Sequence, residues 1–171
     1  ALSGKPFTEP LVLEDDVPEV IRTDYAEDID LQGNHIDQFS AMVFRDGLSK
    51  GLTHILVDTP AIEPGQTRTL ADERSAGIRP YMVHVQPENV LAADAIRSEG
   101  REVLTHVRLY EAETERLGFA EVVVEYIRVF DLAVADDGKL FVQMTRYKKE
   151  KRKRGGKPQW VPQGTVDTDH D

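Results

Sequence analysis

Apolar residues recur at three- and four-residue spacing in one stretch of the first third of the chain. These positions are Ile36, Phe39, Met42, Val43, Leu48 and Leu52. Such spacing predicts an amphipathic helix over residues 35–50, with Gly33-Asn34 providing a turn and a cap before it. Gly51 is placed to end the helix, because glycine readily adopts the left-handed conformation found after a helix C-terminus.

Period-two and β-branched patterns predict five strands. The runs 54–58 and 81–85 are short and apolar, and the first stops at a Thr-Pro pair that cannot continue a ladder. Residues 102–112, 120–133 and 139–147 are longer and alternate apolar with polar side chains, as in half-buried strands.

The connections between these strands indicate an antiparallel sheet. Asp136-Asp137-Gly138 is a hairpin turn, and strands joined by short turns pair antiparallel. A second, short helix is predicted over residues 69–76, where a threonine cap precedes early acidic residues. Both helices come early and do not alternate with strands, so the predicted class is α+β, mainly antiparallel sheet.

Proline and charge divide the 171-residue chain into three parts. Residues 1–25 are rich in proline and acidic side chains and are expected to form an extended arm. Residues 26–147 are predicted to form one α+β domain, and residues 148–171 a basic segment followed by a polar tail. The chain begins without methionine and ends in an acidic run, so we expect it to be a piece of a longer protein.

The amino-acid composition limits the cellular compartments and the kinds of site that the sequence can have. There is no cysteine, which excludes disulfides and thiolate metal sites, and no secretion signal or long apolar run is present. The sequence therefore predicts a soluble protein in an intracellular setting.

Charge is segregated along the chain. The formal net charge is −10, but residues 148–157 contain seven basic residues and one acidic residue, a local charge of +6, so the remainder carries −16. The seven basic residues are Lys148, Lys149, Lys151, Arg152, Lys153, Arg154 and Lys157. They are candidates for contact with nucleic acid or with an acidic surface of a neighbouring subunit.

No enzyme signature is present. The five histidines lack the i, i+4 spacing typical of a helical zinc site, although His84 and His106 could meet if their strands were adjacent. Asp58 ends an apolar strand and is interpreted as a strand-end cap. We therefore expect no catalytic residue, metal or cofactor; an enzyme alternative would centre on Asp58 with His84 or His106.

Five short motifs in this order resemble those of tailed-bacteriophage portal proteins, in particular a phage-encoded family of domains of unknown function related to portals. They are Ser3-Gly4-Lys5-Pro6, the helix entry at residues 31–39, the strand motif at residues 51–60, Arg79-Pro80-Tyr81 and Pro87-Glu88-Asn89-Val90. The resemblance covers nearly the whole chain.

This resemblance implies a structural subunit of a ring, usually of twelve copies, at one capsid vertex or in the host cytoplasm during assembly. DNA passes through such a ring, and terminase and head–tail connector proteins dock on it. No long helical pair follows Tyr147, so the stem and clip would be missing and the chain would belong to the outer, wing-like region. The alternative is an adaptor that binds nucleic acid or head proteins through residues 148–157.

Overall fold

The computed structural model describes residues 5–60, 69, 77–98, 100–150 and 156–167. The chain divides into two compact units, Ala1–Pro87 and Glu88–Asp171. This boundary falls inside residues 26–147, the range predicted to form one domain. The fold is α+β and mainly antiparallel sheet, and none of the described helices is long and apolar enough to cross a membrane.

The helix of the first unit, α1, spans Ile36–Lys50, which confirms the helix predicted from apolar spacing. Its cap differs from the prediction: His35, not Asn34, is the N-cap, and its Nδ1 accepts a hydrogen bond from the Asp37 backbone N–H at 3.2 Å. Gly51 ends the helix in the left-handed region at φ 78°. Asn34 is engaged elsewhere, in the turn that leads into the helix.

That turn is organised by Asp30, a buried carboxylate. Its Oδ1 accepts from the backbone N–H groups of Gln32 and Asn34 at 3.0 and 3.3 Å, and its Oδ2 from the Asn34 side-chain amide at 2.6 Å. Burial acts to raise the pKa of Asp30, but these hydrogen bonds outweigh burial and lower it. Asp30 therefore fixes the turn before α1 as an ionised group.

The first unit also contains two paired strands. Strand β1, His54–Asp58, pairs antiparallel with β2, Tyr81–Val85, with Leu56 opposite Val83, and both strands have the predicted bounds. Among the described residues of this unit, the buried apolar ones are Ala26, Ile29, Phe39 and Val85. The predicted helix at 69–76 lies outside the described residues, apart from Thr69.

The N-terminal arm precedes α1 in sequence and contacts it. It contains a 3-10 turn at Lys5–Phe7 and a π-helical turn at Ile21–Tyr25. The Phe7 ring lies edge-on to the Phe44 ring with centroids 5.6 Å apart, and the Leu11 backbone N–H donates to Asp37 Oδ1 at 2.7 Å. The arm is thus held at two points along the helix.

The second unit is a five-stranded antiparallel sheet with strands in sequence order. The strands are β3 (Val90–Ser98), β4 (Arg101–Leu117), β5 (Ala120–Val134), β6 (Leu140–Glu150) and β7 (Gln159–Asp167). The predicted turn at residues 136–138 joins β5 to β6, with Gly138 at φ 86°.

Two of these strands correct the sequence analysis. Strand β3, which begins at Val90, is not among the five predicted strands; its alanines are weak strand formers, and pairing with β4 overrides that preference. Residues 159–167 were expected to be polar tail but form β7. Proline is tolerated there because β7 is an edge strand.

Candidate interaction surface

The central strands place the candidate basic residues on the two faces of the sheet. Strand β6 continues three residues beyond its predicted end at Tyr147, so Lys148 and Lys149 are strand residues rather than the start of a separate basic segment. Because side chains alternate along a strand, these two lysines point to opposite faces. We name the faces after their buried residues, the Tyr126 face and the Val129 face.

On the Tyr126 face, Glu111, Tyr126 and Lys148 form one row across three strands: Glu111 opposes Tyr126, and Tyr126 opposes Lys148. Next to this row, Glu115 Oε1 accepts from Tyr126 Oη at 2.8 Å and from Lys148 Nζ at 3.2 Å. A lysine on β6 therefore reaches across β5 to a carboxylate on β4.

These contacts shift three titrating groups. The hydrogen bond from Tyr126, followed by that from Lys148, lowers the pKa of Glu115. The same carboxylate raises the pKa of the Tyr126 phenol, with burial acting in the same direction. The hydrogen bond with Glu115 also raises the pKa of Lys148, against the opposing effect of burial.

Two arginines extend this arrangement. The Arg146 guanidinium lies over the Tyr126 ring, 3.8 Å from its centroid, and forms a hydrogen-bonded ion pair with Glu113. Arg128 Nη2 lies 2.8 Å from Glu111 Oε1. We call the set Glu111, Glu113, Glu115, Tyr126, Arg128, Arg146 and Lys148 the charged belt.

The charged belt contains three carboxylates, all from β4, and three cations from β5 and β6. Their charges balance, and every ion pair joins two different strands. The belt therefore connects β4, β5 and β6 through side chains in addition to the backbone ladder. Lys148 is engaged in this network rather than presented as an isolated cation.

Lys149 is engaged in the same way on the Val129 face. Its Nζ lies 2.6 Å from Glu125 Oε2 and 5.8 Å from the centroid of the Trp160 ring on β7. Tyr110 Oη also donates to Glu125, at 3.1 Å. The hydrogen bond from Lys149 is the main reason that the pKa of Glu125 is lowered, while burial and then Glu125 raise the pKa of Tyr110.

The other candidate cations are placed differently. Lys157 is exposed, just before β7. Lys151, Arg152, Lys153 and Arg154 lie outside the described residues. The part of the candidate site that the structure describes thus consists of two lysines with internal carboxylate partners and one exposed lysine.

The two histidines considered as a pair from sequence do not lie on neighbouring strands. His84 lies on β2 and His106 on β4, in two different sheets. His84 Nε2 is 2.8 Å from Thr53 Oγ1 and 3.6 Å from Asp46, whereas His106 Nδ1 is 2.6 Å from Asp131 Oδ1. Each histidine therefore has partners close to its own strand.

Asp58 has the geometry of a strand-end cap. Its Oδ1 accepts from the Thr59 backbone N–H at 2.9 Å, and its Oδ2 lies 3.4 Å from Tyr81 Oη. His84 opposes Ile55, so it lies on the other side of the two-stranded sheet from Asp58. Among the described residues no group of three or more histidines or carboxylates is arranged to hold a metal ion.

The acidic half of the charged belt was missed by sequence reasoning. Glu111, Glu113 and Glu115 have a period-two spacing that places them on one face of a strand, and this signal was available in the sequence. The cations that face them could be identified only with the register of β4, β5 and β6. No protein-family model matches the chain, and no curated protein matches it either.

Proposed function

We propose that this chain is an assembly module, and that it forms part of the ring-shaped portal subunit of a tailed-bacteriophage head. In this proposal the function of the chain is to present a rigid β-sheet to neighbouring proteins, with no chemical step. The sequence resemblance is the reason that the proposal includes a ring, a capsid vertex and the passage of DNA. The assembly role is supported by the sheet itself.

The observation that carries the assembly role is the exposure of the sheet. In the described part of residues 88–171, only Leu109, Tyr126 and Val129 are buried. Sheets in stable domains bury at least one face against a second layer of helices or strands. A large sheet with so few buried side chains therefore gains stability when another protein surface covers it.

The charged belt supports the same proposal. Its cations are directed at carboxylates of the same sheet, and this arrangement stiffens three strands while leaving little free charge for a polyanion. Lys149 is paired as well. The described residues therefore favour a role in shape and assembly over phosphate binding by Lys148 and Lys149.

Negative-stain imaging of the complete gene product that contains this chain tests the proposal. We expect rings with a central channel. Isolated particles without ring symmetry at all concentrations would contradict the portal assignment. A parallel DNA-retention assay at low salt identifies the adaptor alternative, because an adaptor retains DNA in a salt-dependent manner without forming rings.

A further inference from the structure

Strand β7 is an edge strand of the large sheet and contributes little to its core. The buried residues in the described part of this sheet, Leu109, Tyr126 and Val129, lie on β4 and β5, with β6 between them and β7. Along residues 159–166 of β7 the side chains are exposed, except that of Val161, which is half-buried. The buried side chains of the sheet therefore do not depend on β7.

The ladder between β6 and β7 is irregular. Tyr147 opposes Pro162, which has no backbone N–H to donate. Arg146 opposes Gly164, so Gln163 has no opposing residue on β6. The charged belt joins β4, β5 and β6 by ion pairs, and it includes no residue of β7. Strand β7 is therefore held less firmly than the three strands of the belt.

The edge of β6 is nevertheless matched to the sequence of β7. The two strands pair at eight positions. Thr145 Oγ1 lies 3.1 Å from Thr165 Oγ1, and Lys149 Nζ lies 5.8 Å from the centroid of the Trp160 ring. Cross-strand contacts of this kind depend on the residues of both strands. The segment that fits this edge is therefore a copy of β7.

The connection from β6 to β7 differs from the other turns of the sheet. The earlier turns, residues 99–100, 118–119 and 135–139, have two, two and five residues, whereas residues 151–158 number eight. Five of these eight are basic, and the others are Gly155, Gly156 and Pro158. Like charges in a connecting segment repel one another and favour an extended chain over a tight reversal. The sequence of this connection therefore favours delivery of β7 to a neighbouring sheet.

We infer that β7 is exchanged between copies, so that β7 of one chain pairs with β6 of a second chain. The occupant of the β6 edge has the same sequence in the closed and exchanged arrangements, so the paired positions and side-chain contacts are kept. Exchange of an identical element is for this reason a low-cost route to association. The inference names a second copy as the partner of β7, and it goes beyond the portal assignment, on which it does not depend.

The charge distribution also favours a second copy as the partner. Exchange carries the five basic residues of the connection across to a neighbouring chain. The chain has 21 basic and 31 acidic residues in all, so the part outside residues 151–158 is strongly acidic. A basic connection thus meets an acidic neighbour, and opposite charges of this kind favour association most at low salt.

Single cysteines test the exchange, because the chain has no cysteine of its own. Thr145→Cys and Thr165→Cys each place one thiol on opposing residues of β6 and β7. The two variants are unfolded together in urea, refolded and oxidised, and disulfide-linked dimers are measured on non-reducing gels. Mixing before refolding ensures that slow opening of β7 does not limit the yield. Circular dichroism checks that each variant folds.

Thr114→Cys replaces Thr145→Cys in the matched control, since Thr114 is an exposed threonine on β4, three strands away from β7. We expect the mixture of Thr145→Cys and Thr165→Cys to yield about tenfold more dimers than the control mixture, because exchange places its two thiols side by side. Met144→Cys with Val166→Cys, the next opposing pair, should repeat the result. Yields equal to that of the control would overturn the inference.

A second measurement uses a chain that carries Thr145→Cys and Thr165→Cys together. Oxidation at high dilution joins β7 to β6 of the same chain and prevents exchange. We expect this locked chain to stay monomeric in light scattering at concentrations where the unaltered chain self-associates, and we expect reduction to restore association. Association of the locked chain to the same extent as the unaltered chain would overturn the inference.

The inference and the portal proposal fail separately. Exchange in the cysteine mixtures without rings in the complete gene product would contradict the portal assignment and leave the inference standing. Rings in the complete gene product, together with equal dimer yields in the test and control mixtures, would overturn the exchange and leave the portal proposal standing.

Discussion

The Arg146 guanidinium lies 3.8 Å from the centroid of the Tyr126 ring, and this contact organises the middle of the large sheet. Tyr126 is 6% exposed, so the ring is a buried platform with a cation on its face and a carboxylate, Glu115, at its hydroxyl. One side chain of β5 thereby connects a cation from β6 to an acid from β4.

Two substitutions of Tyr126 separate the contribution of ring packing to stability from that of the hydroxyl hydrogen bond. We expect Tyr126→Phe to lower the free energy of unfolding only modestly, because the hydrogen bond to Glu115, a half-exposed carboxylate, is lost while the ring remains. Tyr126→Ala should cost about 3–5 kcal/mol, since the platform under Arg146 is removed as well. Urea unfolding followed by the fluorescence of Trp160, the only tryptophan, reports on this sheet. Equal losses for the two variants would contradict a role for the ring.

Glu115 predicts how the stability of the sheet depends on pH. Its pKa is lowered in the folded chain, so its contribution is present above the unfolded-state pKa and is lost as pH falls through the lowered folded value. Glu115→Gln should therefore reduce stability at neutral pH and flatten the loss of stability on acidification. Trp160-monitored unfolding measured from neutral to acidic pH checks this.

Lys148→Gln provides the matched control for that experiment. Lys148 shares its partner Glu115 with Tyr126, so a Lys148→Gln, Glu115→Gln double variant should lose less than the sum of the two single variants. Strict additivity would show that the two groups are not coupled.

The pairing of Lys148 and Lys149 predicts the outcome of a DNA-binding titration. If each contacted a phosphate, replacing it with glutamine would reduce the slope of log K against log salt by about 0.9. We expect these substitutions to leave any DNA retention and its salt slope unchanged, because both lysines bind carboxylates of the sheet. Lys157→Gln, at an exposed position, is the comparison. A slope reduced by either of the first two variants would contradict the assignment.

The end of α1 allows a test of backbone conformation with two neighbouring glycines. Gly51 lies at φ 78° with open space around it, so Gly51→Ala should cost about 1–2 kcal/mol through conformation alone. Gly47 is helical, and an added Cβ would lie 3.6 Å from Thr53 Cγ2, an ordinary contact. Gly47→Ala should therefore be neutral or stabilise by up to about 1 kcal/mol. Thermal unfolding followed by helical circular dichroism distinguishes the two.

Elements with a strong local pattern were predictable from sequence. The apolar stripe and Gly51 identified α1, and the β-branched runs identified β1 and β2 with their observed bounds. In these segments local preference and burial favour the same structure.

Elements that depend on neighbours were not predictable. Strand β3 consists largely of alanine and polar residues, and β7 contains Pro162, so each is a strand only because β4 or β6 pairs with it. Similarly, Lys148 was assigned to a separate basic segment because its partner Glu115 is 33 residues away in sequence. The register that brings them together is a tertiary property.

The most direct test of the assembly account is the mass in solution of the complete gene product, measured over a concentration series by light scattering. The account predicts a discrete oligomer of many subunits that persists on dilution, because a closed ring joins every copy at two contacts. A mass equal to one subunit at every concentration would contradict it.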